Sequence, residues 1–195
     1  MRHRELLTPP GRVVLLNGAP SSGKTTLARA LQRALDTPWF HLSLDVFRAG
    51  YPDDRWLRDD GTLFEQVMVG YLGALRQLAE SGIDLLAEAV ITPDRQTLYA
   101  KTFQDLPVLL VGVHCSHTEA IRRERERFDR LSGPLELPWE AFAAVHAGMS
   151  YDLEVDTSTT SAESLARRLA TEFDAVDTVA FQGLVERVSE PRRTV

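Results

Sequence analysis

Residues 18–25 read GAPSSGKT and combine the residue types and the spacing that can hold a phosphate group. They fit the pattern G-x-x-x-x-G-K-[ST], in which the backbone N–H groups of a glycine-rich loop and the N-terminus of the following helix face nucleotide phosphates. In such a site Lys24 neutralises the β- and γ-phosphates and the Thr25 hydroxyl ligates Mg²⁺. The predicted nucleotide-binding residues are Gly18, Ala19, Pro20, Ser21, Ser22, Gly23, Lys24, Thr25 and Thr26.

The rest of the chain limits what such a nucleotide site can do. A GTPase switch needs the base-reading sequence N-K-x-D, whereas the only asparagine in the chain, Asn17, precedes the glycine loop. Large motor ATPases need a longer chain and an acidic pair at a strand end. A small-molecule kinase needs a phosphate cradle, a carboxylate beside the accepting hydroxyl and arginines that cover the transferring group. We therefore expect a kinase that uses ATP and Mg²⁺, while a nucleotide-binding regulator without kinase activity stays open.

Asp45 is the candidate catalytic carboxylate. It ends the apolar run WFHLSLD, which predicts a second strand, and the carboxyl edge of a parallel sheet faces the ligand crevice. A carboxylate at that edge can accept the proton of an attacking hydroxyl. The alternative is a purely structural role, because aspartate also caps the N-terminus of helices.

Other candidate residues follow the later strands. Glu88, at the end of the predicted third strand, either orients Mg²⁺ or the acceptor, or is a surface acid. The charged run 122–130 is mostly typical of a solvated helix face, because acids alternate with its arginines. Arg127 and Arg130 border a loop with Gly133 and Pro134, and they are predicted to reach the transferring phosphoryl group.

The acceptor side is predicted from aromatic residues that follow Asp45. Tyr51 and Phe64, together with Trp56, Met68 and Tyr71, either line an acceptor pocket or simply pack in the core.

Strands and helices alternate along the chain in the order needed to bring these residues together. Apolar runs predict strands at 12–17, 39–45, 83–90, 107–115 and 151–156, and helical stripes fall at 24–35, 63–80 and 118–130, with a short helix from Trp139. This alternation is typical of a parallel sheet covered on both faces. The predicted fold is an α/β, P-loop NTPase-type three-layer sandwich with a five-stranded parallel sheet of order 2-3-1-4-5. Residues 1–176 form one kinase domain with a lid at about 118–137, and 177–195 form a C-terminal tail or an extra helix.

Composition narrows the partners. A net charge of −6 on 195 residues argues against a broad nucleic-acid surface, which needs clustered cations. The single Cys115 excludes an intramolecular disulfide, and no apolar run approaches the roughly 20 residues of a membrane span. The expectation is a cytoplasmic protein whose partner is a small hydroxylated molecule, with neither nucleic acid nor membrane.

Several stretches together resemble a known family. The runs PWFHLSLDVF, LLVGVHC, RERERFDR and above all VHAGMSYDLEVDTS, beside the glycine loop, are similar to chloramphenicol phosphotransferase, a P-loop kinase that phosphorylates a hydroxyl of that antibiotic. The resemblance covers roughly residues 12–170. His146 in the last run is more typical of a packing or hydrogen-bonding histidine than of a catalyst.

The resemblance implies roles for four residues. Asp45 matches the catalytic base of the family, Arg127 and Arg130 match its phosphate-facing arginines, and Glu88 matches a strand-end aspartate near the acceptor. The chain departs from the family pattern where Ala89 follows Glu88 in place of a second acid, and where segment 52–64 is shorter. A kinase of another metabolite, such as a nucleotide sugar in the manner of zeta-type toxins, is therefore the alternative acceptor prediction.

Overall fold

The computed structural model describes residues 9–51, 61–126 and 138–190. Within these ranges the chain forms five strands and eight helices, with one or two helices after each strand. The strands are β1 (Val13–Asn17), β2 (Phe40–Leu42), β3 (Leu85–Ala89), β4 (Val108–His114) and β5 (Leu153–Asp156). The helices are α1 (Lys24–Ala34), α2 (Leu44–Arg48), α3 (Thr62–Glu80), α4 (Gln96–Phe103), α5 (His117–Arg125), α6 (Trp139–Ala144), α7 (Ala162–Glu172) and α8 (Ala180–Ser189).

The five strands form one parallel sheet in the order β2-β3-β1-β4-β5. Strand β1 lies at the centre, and all five of its residues are buried because helices cover both faces. The predicted fold class and strand order are therefore confirmed.

Two hydrophobic cores lie on opposite faces of the sheet, since successive residues of a strand point to opposite sides. On one face, Val13 and Leu15 pack with α3, α4 and α8, whose buried residues include Tyr71, Phe103 and Phe181. On the other face, Val14 and Leu16 pack with α1 and α7. Helix α1 therefore covers one face of the sheet only. Strand residues whose side chains point to that face, such as Val14, Leu16 and Leu86, are the ones on the same side as α1.

The prediction that the second strand continues to Asp45 is wrong. Strand β2 ends at Leu42, and Ser43 takes an extended conformation at the N-cap of α2. Asp45 follows in the first turn of this helix, where a negative charge interacts favourably with the helix dipole. The apolar run is compatible with both an extended strand and a strand followed by a short helix.

Helix α8 lies in the segment for which the sequence predicts a tail or an extra helix. It buries Phe181 and Leu184 in the core shared with α4. Of the helices in ranges 9–51, 61–126 and 138–190, none has the length and apolar character needed to cross a membrane.

Candidate active site

The glycine loop connects β1, which ends at Asn17, to α1, which begins at Lys24. Gly23 has a φ of 90°, a left-handed conformation that glycine adopts without steric cost. Ser21 also has a positive φ of 58°, which is uncommon for a residue with a Cβ atom. Its hydroxyl donates to the buried carboxylate of Glu124 on α5, which holds the serine in this conformation.

Lys24 lies within the loop that it is predicted to serve. Its side chain is buried, and Nζ donates to the carbonyls of Gly18 and Ala19 at 2.8 Å each. Burial next to backbone carbonyls keeps the ammonium group inside the loop rather than extended into solvent. The positive charge is therefore held inside the loop that is predicted to bind a phosphate group.

A cavity of about 870 Å³ extends from the glycine loop to α2 and α3, a volume in the range of small-molecule sites. The loop side comprises Pro20, Ser21, Gly23, Lys24, Thr25 and Thr26. The opposite side includes Asp45, Arg48, Phe64, Met68, Tyr71, Glu88, Arg95 and Tyr99. Gly18, Ala19, Ser22 and Tyr51 do not line the cavity that the described residues form. The cavity thus joins the predicted phosphate cradle to the predicted catalytic carboxylate.

Asp45 faces the cavity from the first turn of α2. Its Oδ1 accepts a hydrogen bond of 2.8 Å from Arg48 Nη1, one turn further along the helix. The carboxylate is about half exposed, so a ligand in the cavity can reach it. Arg48 thereby orients the carboxylate that faces the cavity.

Glu88 connects the glycine loop to the edge strand of the sheet. Thr25 Oγ1 donates to Glu88 Oε2 at 3.0 Å, and His41 Nε2 lies 2.8 Å from Glu88 Oε1. The Glu88 and His41 side chains are only 11% and 13% exposed. Glu88 is therefore part of a buried polar cluster at the loop, which excludes the alternative of a surface acid.

The donor atoms around Thr25 fit Mg²⁺. A hydroxyl and a carboxylate oxygen are hard ligands, and Mg²⁺ commonly takes only one or two protein oxygens beside phosphate oxygens and water. No cluster of three or more histidine, cysteine, aspartate or glutamate side chains that would form a complete metal site occurs in the part of the chain that the structure describes. Thr25 is the residue that would hold Mg²⁺ here, and Glu88 orients its hydroxyl.

The predicted acceptor side of the cavity combines aromatic residues with charged side chains. Tyr71 donates its hydroxyl to the carbonyls of Leu42 and Glu88, and burial raises its pKa well above the ordinary value. Burial also raises the pKa of Tyr99 to about 12, so both tyrosines stay neutral at physiological pH. The guanidinium of Arg95 lies 4.9 Å from the ring centre of Phe64, which fixes this predicted acceptor residue at the cavity wall.

Arg123 contacts the glycine loop region, a role that its charged run conceals in the sequence. Its Nη1 and Nη2 donate to Oγ1 and the carbonyl oxygen of Thr157, at 3.0 and 2.6 Å. Thr157 Oγ1 in turn donates to the carbonyl of Ser22 at 2.7 Å. The two arginines that the sequence does single out in this region, Arg127 and Arg130, lie outside the described residues.

A buried hydrogen-bond network holds the start of the glycine loop. Asn17 Nδ2 donates to Tyr151 Oη at 2.8 Å and to the carbonyl of Val145 at 3.0 Å, while its Oδ1 accepts from the backbone N–H of Ile91. His146 Nδ1 lies 2.6 Å from Tyr151 Oη. Because Asn17 donates to the tyrosine oxygen, the tyrosine proton is directed to His146, which must be neutral at Nδ1.

The pKa values of the network agree with this direction. Burial, followed by the nearby His114 and Lys24, lowers the pKa of His146 to about 4. Burial also raises the pKa of Tyr151 to about 12. His146 therefore acts as a neutral acceptor. The sequence contains a clue to this network, since Asn17 is the only asparagine and directly precedes the loop.

Comparison with known proteins places this geometry among phosphotransferases. Residues 11–174 match the model of the family described as chloramphenicol phosphotransferase-like protein. A relative from Mycobacterium tuberculosis, which carries the provisional name of an O-phosphotransferase, is 31% identical over 194 residues, covering 86% of this chain and 84% of the relative. The family match spans every strand and the whole glycine loop.

Solved structures agree on the fold. The APS kinase of Mycobacterium tuberculosis, in complex with AMPPNP and APS, superposes with a TM-score of 0.58 at 19% identity, covering 85% of this chain and 99% of that chain. Shikimate kinase from Acinetobacter baumannii, in complex with shikimate, gives 0.61 at 15% identity, covering 86% and 94%. At these identities the similarity shows the P-loop kinase fold alone.

Proposed function

The protein belongs to the chloramphenicol phosphotransferase-like family, and from this premise we propose that it transfers the γ-phosphate of ATP to a hydroxyl group of a small molecule. The observation that carries the proposal is the single cavity that joins the glycine loop to Asp45. A phosphate donor at the loop and a hydroxyl at Asp45 would occupy the same space. Family membership supports phosphoryl transfer, and the cavity supports a small acceptor.

The glycine loop has the donor role in this proposal. Its backbone N–H groups and Lys24 bind the β- and γ-phosphates, and Thr25, whose hydroxyl is oriented by Glu88, holds Mg²⁺. Bound ATP and Mg²⁺ supply the phosphoryl group and neutralise the negative charge that spreads over it during transfer. Residues of the chain contribute mainly by orientation, because phosphoryl transfer requires little covalent chemistry from a protein.

Asp45 has the role of the general base. Its carboxylate accepts the proton of the acceptor hydroxyl as the oxygen attacks phosphorus, and Arg48 holds it in the required orientation. Arg127 and Arg130 retain the predicted role of covering the transferring phosphoryl group, by resemblance to the family.

The acceptor is proposed to be a hydroxylated compound with an apolar or aromatic part. Phe64, Met68 and Tyr71 line the acceptor side, and apolar walls with a few polar groups are typical of small-molecule sites. Chloramphenicol-like compounds are the first candidates, and tyrosine, arginine and carboxylate groups on the same wall leave a more polar metabolite as the alternative. Tyr51 stays a predicted acceptor residue, and it is the last residue of the described range 9–51.

Turnover with a panel of acceptors tests the proposal. ATP consumption with Mg²⁺ is measured with chloramphenicol, other hydroxylated antibiotics, hydroxylated metabolites and nucleotide sugars, and the phosphorylated product is identified by mass spectrometry. Asp45→Asn keeps the shape of the side chain and removes the base, so it should abolish turnover while nucleotide binding persists. Asp36→Asn is the matched control, because Asp36 is exposed and remote from the cavity lining.

Two results would contradict the assignment. Undiminished turnover by Asp45→Asn would remove this residue from the mechanism. Nucleotide hydrolysis that no acceptor stimulates, but that a protein partner does, would instead favour a nucleotide-binding regulator.

A further inference from the structure

We propose that His41 is a positioning residue for the cation site of the glycine loop. By binding Glu88 Oε1, it holds the carboxylate so that Oε2 accepts the proton of the Thr25 hydroxyl, and the Thr25 oxygen is left to face a divalent cation. The inference rests on the nucleotide-binding half of the proposed function. It requires no particular acceptor.

Strand register brings the three residues together. His41 on β2 is in register with Leu86 on β3, two residues before Glu88. Because side chains two residues apart on a strand share a face, His41 and Glu88 point to the same side of the sheet. Leu86 packs in the core formed with α1, which shows that this is the α1 side. Thr25, in the first turn of α1, donates its hydroxyl to the Glu88 carboxylate on this side of the sheet.

The donors and acceptors available in the cluster determine which group donates each hydrogen bond. An ionised carboxylate only accepts, so both His41 Nε2 and Thr25 Oγ1 must donate to Glu88. The threonine hydroxyl has one proton and two lone pairs, and the bond to Glu88 uses the proton. Its lone pairs are then directed away from Glu88, where a cation bound to nucleotide phosphates would lie.

His41 restrains the rotation of the Glu88 carboxylate. The Glu88 backbone is fixed within β3, and its carbonyl accepts from Tyr71, but the carboxylate can still rotate about its terminal bond. Bonds to both oxygens remove this rotation. Since Glu88 is 11% exposed, a carboxylate oxygen without His41 would also lose a partner that solvent cannot readily replace.

Mg²⁺-dependent nucleotide binding measures this role separately from folding. The dissociation constant of ADP is determined by calorimetry with Mg²⁺ in excess and again with EDTA. The constant in EDTA divided by the constant in Mg²⁺ gives the contribution of the cation to affinity. His41→Phe keeps a ring without the donor, and we expect it to lower this ratio by about tenfold, within the range for residues that orient metal ligands. Affinity in EDTA should stay unchanged.

Two further variants decide whether His41 acts through Glu88. His41→Gln places an amide N–H at a similar reach, and it should restore most of the Mg²⁺ contribution. In a Glu88→Gln background, His41→Phe should cause no additional loss of the Mg²⁺ contribution. Wild type, the two single variants and the double variant form a double-mutant cycle, which measures the coupling between the two residues.

Several outcomes would overturn the inference. An unchanged ratio in His41→Phe would do so, as would an equal loss of affinity with Mg²⁺ and with EDTA, which indicates a structural role only. An additional loss in the Glu88→Gln background would show that His41 acts by another route. A wild-type affinity that does not respond to Mg²⁺ also refutes it, even if phosphoryl transfer is observed. Conversely, the expected ratios combined with no phosphorylated acceptor would contradict the proposed function and leave the role of His41 intact.

Discussion

Acid should destabilise this protein through His146, and replacement by asparagine should remove that part of the acid sensitivity. His146 accepts from Tyr151 through Nδ1, and burial lowers its pKa to about 4. In His146→Asn, the amide oxygen lies near the position of Nδ1 and can still accept from the tyrosine. The variant therefore keeps the hydrogen bond and loses the titrating group.

The sign follows from proton linkage. An exposed histidine in the unfolded chain titrates near 6.5, whereas His146 in the folded chain titrates near 4. Between these values the unfolded chain binds a proton that the folded chain does not, so the free energy of unfolding falls as pH falls. The stabilisation is fully present above about pH 6.5 and is lost progressively down to about pH 4.

The size of the effect can be bounded. The pKa values of about 6.5 and about 4 differ by about 2.5 units, and each unit corresponds to about 1.4 kcal/mol of unfolding free energy. The total loss is about 3 kcal/mol, of which about 2 kcal/mol falls between pH 8 and pH 5. Because the ring is partly exposed, solvent screening reduces this bound, and we expect roughly 1–2 kcal/mol over the measurable range.

Urea unfolding of both proteins at several pH values between 8 and 5 measures the difference. Titrating groups that do not contact His146 contribute equally to both proteins, so the difference in unfolding free energy between wild type and His146→Asn reports on His146 together with His114, whose ring stacks on it at 4.2 Å. This difference should move in favour of the asparagine variant as pH falls. A difference that stays constant with pH would refute the reasoning, since it would mean that His146 titrates alike in the folded and unfolded chains.

The remaining predictions concern the loop and the sheet. Lys24→Ala should weaken nucleotide binding roughly 10–100-fold, from about 1.5–3 kcal/mol for a charge-assisted hydrogen bond, while Lys101→Ala on the exposed side of α4 leaves it unchanged in the same titration. Gly112→Ala should lower the free energy of unfolding by about 1–3 kcal/mol, because the new Cβ would lie 2.7 Å from the Tyr151 ring. Gly73→Ala in α3, where nothing lies within 4 Å, should instead raise it by about 0.5–1 kcal/mol, and the opposite outcome for either glycine in thermal melts would contradict the packing described.

The fold could be predicted largely from local patterns. The buried runs of β1 and β4 are unmistakably apolar, and a glycine loop between a strand and a helix determines the architecture around it. The end of β2 could not be predicted in the same way. Residues 39–45 suit an extended chain as well as a strand followed by one helical turn, and tertiary packing decides between them.

Site residues that belong to a local sequence motif could be predicted. Contacts between residues that are distant in the sequence could not. Lys24 and Thr25 follow from the motif alone. The contact of His41 with Glu88 depends on the register between two strands that are more than 40 residues apart in the chain, and spacing in the sequence does not encode that register. Arg123 was concealed for a different reason: it lies in a charged run, and only the fold reveals which of its arginines faces Thr157.

The network at Asn17 has a consequence for the order in which this protein matures on the ribosome. Two of the partners that fix Asn17, Val145 and Tyr151, are 128 and 134 residues further along the chain. Strand β1 likewise waits for β3 and β4 on either side. Contacts so distant in the chain form slowly and only after most of the polypeptide has emerged. The glycine loop is thus synthesised well before the segment that supports it, and its final geometry is reached only once Val145 and Tyr151 are in place.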